Sequence, residues 1–387
     1  MTAGELSCFA ITAPGLEPIT AAELHGLGIT GALEDGGVSW AGHAESLVRA
    51  NLWLRTASRV VVRIAEFHAR TFYELERHAR RIPWGRVIAP GSPVAFRVTC
   101  RKSKLYHSDA VAERLAQSID RTLRAASRYS SQSQDDVEER EQETQAEQLF
   151  VVRVLRDVCT VSADSSGALL HLRGYRRAVA KAPLRETLAA AMLLACGWRG
   201  DMPLTDPMCG AGTILIEAAL IARRIAPGLH RRFAFLHWPG HYGDLWQRLV
   251  AEAERTQIAA SPVRIAGADR DEGAIAAAGT NAERAGVTRD VELATRAISA
   301  LEPADGPGLI ATNPPYGVRI GEIDRLRNLY AQLGHVLRRA RPEWSIGILS
   351  AEPRLDRQLG FELAERFRTR NGGIPVRLLV GNIGRIK

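Results

Sequence analysis

Four consecutive residues, Asn313-Pro314-Pro315-Tyr316, carry the clearest chemistry in this chain of 387 residues. Proline fixes its own φ and pushes the residue before it into extended backbone, so Asn313 and Pro314 are both kept out of helical space. Residues 308–312, Gly-Leu-Ile-Ala-Thr, read as a short buried strand. The tetrad is then a stiff loop at the strand's C-terminal end, where open α/β sheets place their sites. The Asn313 amide oxygen and a main-chain carbonyl freed by the prolines are two fixed hydrogen-bond acceptors. An exocyclic amine offers two N–H donors to match them. Acceptors placed this way also favour the shift from planar to tetrahedral nitrogen that exposes its lone pair, and such help counts most when it grows in the transition state. Tyr316 adds a flat face against which an unpaired base can stack. The plainer reading of the same four residues is a turn with a buried tyrosine.

About a hundred residues earlier stands Asp206-Pro207-Met208-Cys209-Gly210-Ala211-Gly212-Thr213. Pro203-Leu204-Thr205-Asp206 reads as a strand ending in a carboxylate. Gly210 and Gly212 allow a tight strand-to-helix turn and let a ligand approach the backbone. Thr213 opens an apolar helix, Ile214 to Arg223, whose free N–H groups favour a small anionic group. Glycine-rich turns also serve dinucleotides and phosphates, so the turn alone does not decide. Two details do. A dinucleotide site expects an acid about 20 positions on, but that region reads Gly228-Leu229-His230-Arg231-Arg232. The next good candidate is Asp269, ending the strand Arg264–Ala268, after an extra helical excursion containing Trp238 and Trp246. A phosphate-gripping Lys-Ser/Thr pair is also missing. Together the two motifs, in this order, suggest methylation of the exocyclic amine of a nucleobase.

Further stretches complete an ordered series: Asn51-Leu52-Trp53-Leu54-Arg55, Lys102-Ser103-Lys104-Leu105, Leu172-Arg173-Gly174-Tyr175-Arg176 and Ala182 to Ala191. The series resembles the RNA guanine-N2 methyltransferases that carry an N-terminal THUMP RNA-binding module, a family with a bacterial 23S ribosomal RNA enzyme and a tRNA acceptor-stem enzyme among its members. The resemblance covers nearly the whole chain. It implies S-adenosylmethionine as methyl donor, with Asp206, Pro207, Gly210, Gly212 and Thr213 around it, Asp269 at its ribose, and Pro183 to Glu186 bordering the pocket. Asn313, Pro314, Pro315 and Tyr316 would hold the target base. Arg101, Lys102 and Lys104 would grip RNA phosphates; taken alone, that cluster reads as a solvated loop. Cys209 is a small loop residue here, because methyl transfer onto nitrogen needs no covalent enzyme intermediate. One departure concerns residues 291–301, which offer Thr295, Arg296 and Ser299 where such folds often place an acid or amide for the cofactor's adenine. That contact stays unassigned.

The fold class implied is α/β: a Rossmann-like, doubly wound methyltransferase domain preceded by an α+β ferredoxin-like and THUMP-like RNA-binding region. The front half supports this with alternating elements: a strand at Cys8–Thr12, a helix near Glu17–Leu27, a turn at Asp35-Gly36-Gly37, a helix at Ala44–Leu54, strands at Arg59–Glu66 and Val94–Thr99, and helices near Phe72–Ile82 and from Ser108. The expected domains are 1–57 (ferredoxin-like), 58–165 (THUMP-like) and 166–387 (methyltransferase), with a linker near Ala163–Lys181. Residues 127–148 are polar and without apolar periodicity, which argues for a flexible insertion. Within them, 135–147 hold seven acids and one arginine, a charge of −6.

Composition bounds the rest. The chain is 46% hydrophobic and 24% charged, with no apolar run near the 18 residues of a membrane span, and its N-terminus lacks signal-peptide character. Five scattered cysteines fit neither a disulfide framework nor a zinc site, so a reduced cytoplasm and no metal are expected. The formal charge is +8, or about +14 without the acidic run, which suits a polyanion. Arginine supplies 47 of the 51 cations against four lysines, a bias that genome composition also produces. A monomer is expected, and the end at Lys387 reads as a stand-alone form without a second fused methyltransferase domain. The favoured substrate is 23S ribosomal RNA, on the amino-terminal matches. The alternatives are a tRNA acceptor-stem guanine-N2 enzyme, a DNA adenine-N6 or protein glutamine methyltransferase, and a non-catalytic RNA-binding protein.

Overall fold

A computed structural model describes residues 4–124, 129–131, 147–176, 184–240, 242–301, 306–316, 322–340 and 343–383. The chain divides into two compact units. The first comprises residues 1–12, 24–170 and 231–251, the second residues 13–23, 171–230 and 252–387.

In chain order the first unit begins with strand β1 (Leu6–Thr12), helix α1 (Glu17–Gly26, whose first seven residues count with the second unit), β2 (Ala32–Glu34), β3 (Gly37–Gly42), α2 (Ala44–Trp53) and β4 (Ala57–His68). This βαββαβ run, with strand order β2-β3-β1-β4, is the ferredoxin-like pattern. The expected boundary at 57/58 falls at the start of β4, which has neighbours on both sides. α3 (Phe72–Ala79), β5 (Val94–Arg101), α4 (Ser108–Leu123), β6 (Tyr129–Ser131), β7 (Gln148–Leu155) and β8 (Val158–Asp164) follow, extending one sheet to β2-β3-β1-β4-β8-β7-β5-β6. Apart from residues 129–131, 147 and 148, the polar insertion 127–148 lies outside the described residues.

Alternation along β5 and β7 sends Phe96 and Phe150 to one face, where they stack at 5.4 Å, and Trp84 meets Phe150 edge-on at 5.1 Å. The Asn51 amide is buried between Ser165 Oγ (2.9 Å) and Ser166 Oγ (2.7 Å), and Asp164 is buried against Arg59. The early Asn-Leu-Trp-Leu-Arg stretch is thus structural, with every group of the amide partnered. The Trp238 indole donates to Gln148 Oε1 at 2.6 Å, and Phe233 stacks on Phe235. The Trp238–Gln148 bond ties residues 231–251, which include Trp238 and Trp246 of the helical excursion read from sequence, to the rest of the first unit.

The second unit contains α5 (Glu186–Ala195), β9 (Leu204–Asp206), α6 (Thr213–Ala222), the end of α7 (Tyr242–Thr256), β10 (Ile265–Asp269), α8 (Glu272–Arg284), β11 (Glu292–Thr295), β12 (Leu309–Thr312), α9 (Glu322–Ala340), β13 (Ser345–Ser350), α10 (Pro353–Asp356), β14 (Ala364–Asn371) and β15 (Ile374–Asn382). Its sheet order is β11-β10-β9-β12-β13-β15-β14. The first five strands are parallel, while β15 runs antiparallel to both β13 and β14. From β9 the chain builds outward to β10 and β11, then crosses back to β12 on the other side. That reversal is a topological switch point, and crevices for ligands open at such points beyond the strands' C-terminal ends. The central strands β9, β12 and β13 are buried on both faces along nearly their whole length, as a parallel sheet requires. Helices α5 and α6 cover one face around Leu204, Leu215 and Ala311, and α9 the other around Ile310, Ile346 and Tyr330.

Candidate active site

Three strand ends meet at the switch point: β9 at Asp206, β10 at Asp269, and β12 at Thr312, one residue before Asn313. Asp206 is buried. Its Oδ1 accepts from Thr312 Oγ1 at 2.7 Å and from the Met208 N–H at 3.1 Å, and its Oδ2 accepts from none of the described residues. Burial pushes its carboxyl up to about 7, against the pull of the Thr312 and Met208 bonds, and the nearby Asp269 charge adds to the rise.

Asp269 is half-buried. It accepts from the Gly210 N–H at Oδ2 and from the Asp271 N–H at Oδ1, both at 3.0 Å, so it ties its own strand end to the glycine turn. The two glycines of that turn differ. A Cβ on Gly212 would stand 3.0 Å from the Ala278 Cβ on α8, at a φ of +81°, so its missing side chain serves helix packing. A Cβ on Gly210 would meet nothing within 4 Å. The open approach to the backbone is therefore at Gly210. Pro207 and Thr213 are buried on either side of the turn.

The Pro-Pro tetrad follows β12. Tyr316 donates its hydroxyl hydrogen to Asn313 Oδ1 and accepts from Asn371 Nδ2 at 3.2 Å, so a chain of three side chains fixes the Asn313 amide. The Tyr316 ring is half-buried against the core, and burial lifts its phenol to about 12, which keeps it a donor. The Pro315 carbonyl accepts from Tyr330 OH at 3.2 Å, whereas the Pro314 carbonyl accepts from none of the described residues. The sequence offered one main-chain carbonyl freed by the prolines, and among the described residues the open one is Pro314's.

Glu186, the first residue of α5, is buried, with its carboxyl raised to about 7 by burial and opposed by Arg176, 3.3 Å away. Arg173 pairs with the buried Glu217 at 3.0 Å, and Tyr175 donates to the same carboxylate at 3.1 Å. The Leu-Arg-Gly-Tyr-Arg stretch thus braces the segment ahead of the site. Pro183 lies outside the described residues. Ser299 is exposed, and the Arg296 N–H donates to the Asp269 carbonyl at 2.9 Å. Thr312, Asn371 and Tyr330 escaped sequence reading: a lone threonine, asparagine or tyrosine carries no signal until the sheet brings it next to Asp206 or Tyr316.

The donor set fits S-adenosylmethionine: an oxygen on buried Asp206 that none of the described residues binds, a second acid at the neighbouring strand end, and open backbone at Gly210 between them. Residues 173–379 match the family described as RMKL-like, methyltransferase domain, and residues 7–61 match the RlmL ferredoxin-like domain. The chain belongs to the RMKL-like family of S-adenosylmethionine-dependent methyltransferases.

Among relatives of this family, the chain is 35% identical to the putative RNA methyltransferase slr0064 of Synechocystis sp., with 96% of this chain and 95% of that one covered. It is 37% identical to the ribosomal RNA large subunit methyltransferase K/L of Syntrophotalea carbinolica over 96% of its own length. Of that relative it spans 53%, about half. A crystal structure of SMU.472, a putative methyltransferase complexed with S-adenosylhomocysteine, superposes with a TM-score of 0.87 at 29% identity, covering 99% of each chain. The ferredoxin-like and Rossmann-like architecture expected from sequence is the one found. Among the described residues no helix is long and apolar enough to cross a membrane, and no His, Cys, Asp or Glu cluster could hold a metal ion.

Proposed function

We propose that the protein transfers a methyl group from S-adenosylmethionine to the exocyclic N2 of a guanine in structured RNA, with 23S ribosomal RNA as the favoured substrate. The observation that carries this reading is the fixed Asn313 amide oxygen beside the open Pro314 carbonyl at the end of β12, joined through Thr312 to Asp206. When bound, the cofactor supplies an electrophilic methyl group. Asp206, Gly210 and Asp269 bind and orient it, with Pro207, Gly212 and Thr213 shaping the turn and Pro183 and Glu186 the pocket's border.

Asn313 Oδ1 keeps a lone pair beyond the one given to Tyr316. With the Pro314 carbonyl it receives the two N–H donors of the target amine and favours the tetrahedral nitrogen. Tyr316 holds Asn313 through its hydroxyl and offers its remaining ring face to the base. The methylated amine is acidic and loses its proton to water, so no residue need act as general base.

In the same reading residues 1–57 are the ferredoxin-like part, 58–165 the THUMP-like RNA-gripping part and 166–387 the methyltransferase part. Arg101, Lys102 and Lys104 contact phosphates, and the enzyme works as a cytoplasmic monomer without a metal. The test is methyl transfer from labelled cofactor to deproteinised, unmodified 23S ribosomal RNA and, separately, to unmodified tRNA, with nucleosides read by mass spectrometry. N2-methylguanosine in the ribosomal pool alone is the expected result. The same product in tRNA alone moves the substrate to the acceptor stem. Methylated adenine overturns the base assignment, and no transfer to either RNA overturns the RNA reading.

A further inference from the structure

β4 and β7 each pair antiparallel with β8, and β7 pairs parallel with β5, so β4, β5 and β7 end on the same side of the first unit's sheet. The loop into α3, the loop into α4 and the β7–β8 hairpin therefore cluster there. Asp157 knots them together. Its Oδ1 accepts from the Lys104 N–H at 2.8 Å, its Oδ2 from Arg70 Nε at 3.1 Å, its carbonyl from the Ala69 N–H at 2.9 Å, and its own N–H donates to Ser103 Oγ at 3.0 Å. These bonds hold a hairpin turn whose two residues, Arg156 (φ +51°) and Asp157 (φ +67°), both sit in the left-handed region that glycine normally fills. Lys102, at φ +50°, is a third such residue in the same cluster.

The knot engages both acids and, among the cations, only the Nε of Arg70. Glu74 is committed to the Arg70 and Thr71 N–H groups as part of the α3 cap, and Asp157 to the loops. Arg70, Arg77, Arg101, Lys102, Lys104 and Arg156 all remain exposed. A cleft of about 550 Å³ opens between Arg70, Arg77 and Arg156, with the stacked pair Phe67–His78 (4.8 Å apart) in its wall. Two large aromatic side chains stand in solvent at this same end. Tyr73 is 75% exposed, one helical turn before Arg77 on α3, and Tyr106 is 70% exposed, 4.1 Å from the His107 ring just ahead of α4.

Resting on the RNA-substrate reading above, we propose that this end of the first unit holds an unpaired stretch of RNA, its phosphates on Arg70, Arg77, Arg156 and the Arg101–Lys104 loop and its bases against Tyr73 and Tyr106. Cations interleaved with free aromatic faces suit single strands, since each unpaired base offers a ring to stack on. A duplex keeps its rings to itself and needs the cations only.

The test is fluorescence anisotropy of the full chain with a single-stranded oligoribonucleotide of about 12 nucleotides and a blunt duplex of the same length, both matched to single-strand site sizes. Tyr73→Ala/Tyr106→Ala is expected to weaken single-strand binding by roughly tenfold or more and leave duplex binding unchanged, while Tyr73→Phe/Tyr106→Phe binds both as wild type. Arg70→Gln/Arg77→Gln/Arg156→Gln is expected to weaken binding and lower the salt slope by about one for each phosphate no longer neutralised. Wild-type single-strand affinity in the double-alanine variant, or equal weakening for single strand and duplex, overturns the proposal. Methyl transfer to RNA by the wild type separates the two failures. If it persists while the tyrosines prove silent, only this surface falls; if it is absent, the RNA reading falls and this one with it.

Discussion

The Thr312 hydroxyl donates to Asp206 Oδ1 across 2.7 Å and so links the ends of β12 and β9 at the reversal in strand order. One hydrogen bond thereby joins the strand that leads into the Pro-Pro tetrad to the strand that ends in Asp206. Thr312→Val keeps the shape of the side chain and removes the donor. A hydrogen bond to a carboxylate contributes about 1.5–3 kcal/mol, so S-adenosylhomocysteine affinity, measured by calorimetry, is expected to fall roughly tenfold or more. Thr312→Ser is expected to restore most of it. Wild-type affinity in the valine variant would show that the bond does not orient Asp206 for the cofactor.

Asp206 also predicts a pH dependence. Its carboxyl is raised from 3.8 to about 7, by burial first. The folded protein then binds the proton more tightly than the unfolded chain does. This residue's favourable contribution is complete below its unfolded pKa and is lost as pH rises through about 7. A cationic cofactor prefers the ionised form, so its affinity is expected to increase from pH 5.5 to about 7 and then level off. Asp206→Asn is expected to bind weakly with little pH dependence over that range. A wild-type profile that stays flat would remove Asp206 from the cofactor's charge balance.

The chain Asn371–Tyr316–Asn313 separates positioning from contact. Asn313→Ala is expected to lower turnover at least about tenfold, equal to about 1.4 kcal/mol of barrier, with cofactor affinity nearly intact. Asn371→Ala leaves both acceptors in place and only loosens Tyr316. A smaller fall in kcat, with KM and cofactor affinity unchanged, is the result expected in single-turnover assays. Loss of cofactor binding in the Asn313 variant would mean that this residue serves the cofactor instead of the amine.

Legibility of the sequence followed how local each constraint is. Asp206, Gly210, Gly212 and the Pro-Pro tetrad were readable because backbone conformation and strand ends are set by a few adjacent residues. The ferredoxin-like elements were readable for the same reason, with helices at Glu17 and Ala44 ending within one residue of the expected positions. Residues 231–251 were recognisable as helical, yet their place in the first unit was not, because it depends on Trp238 finding Gln148, 90 positions away. Asn371 and Thr312 were invisible because only sheet register brings them to Tyr316 and Asp206. The glycine turn was readable as a turn, but the division of labour within it needed α8.

That division gives a final prediction. Gly212→Ala forces a side chain into left-handed backbone and against Ala278 at 3.0 Å. Strain at such positions costs of order 1–3 kcal/mol, and the α6–α8 packing must also open. Gly210→Ala carries some backbone strain at φ +50° but meets no neighbour within 4 Å. The expected outcome is that Gly212→Ala lowers the unfolding midpoint clearly more than Gly210→Ala. At a temperature where both variants are folded, Gly210→Ala should show the larger loss of S-adenosylhomocysteine affinity, because its new methyl group occupies the open approach. The reverse order in both measurements would place the ligand at Gly212 and leave Gly210 as the turn's structural glycine.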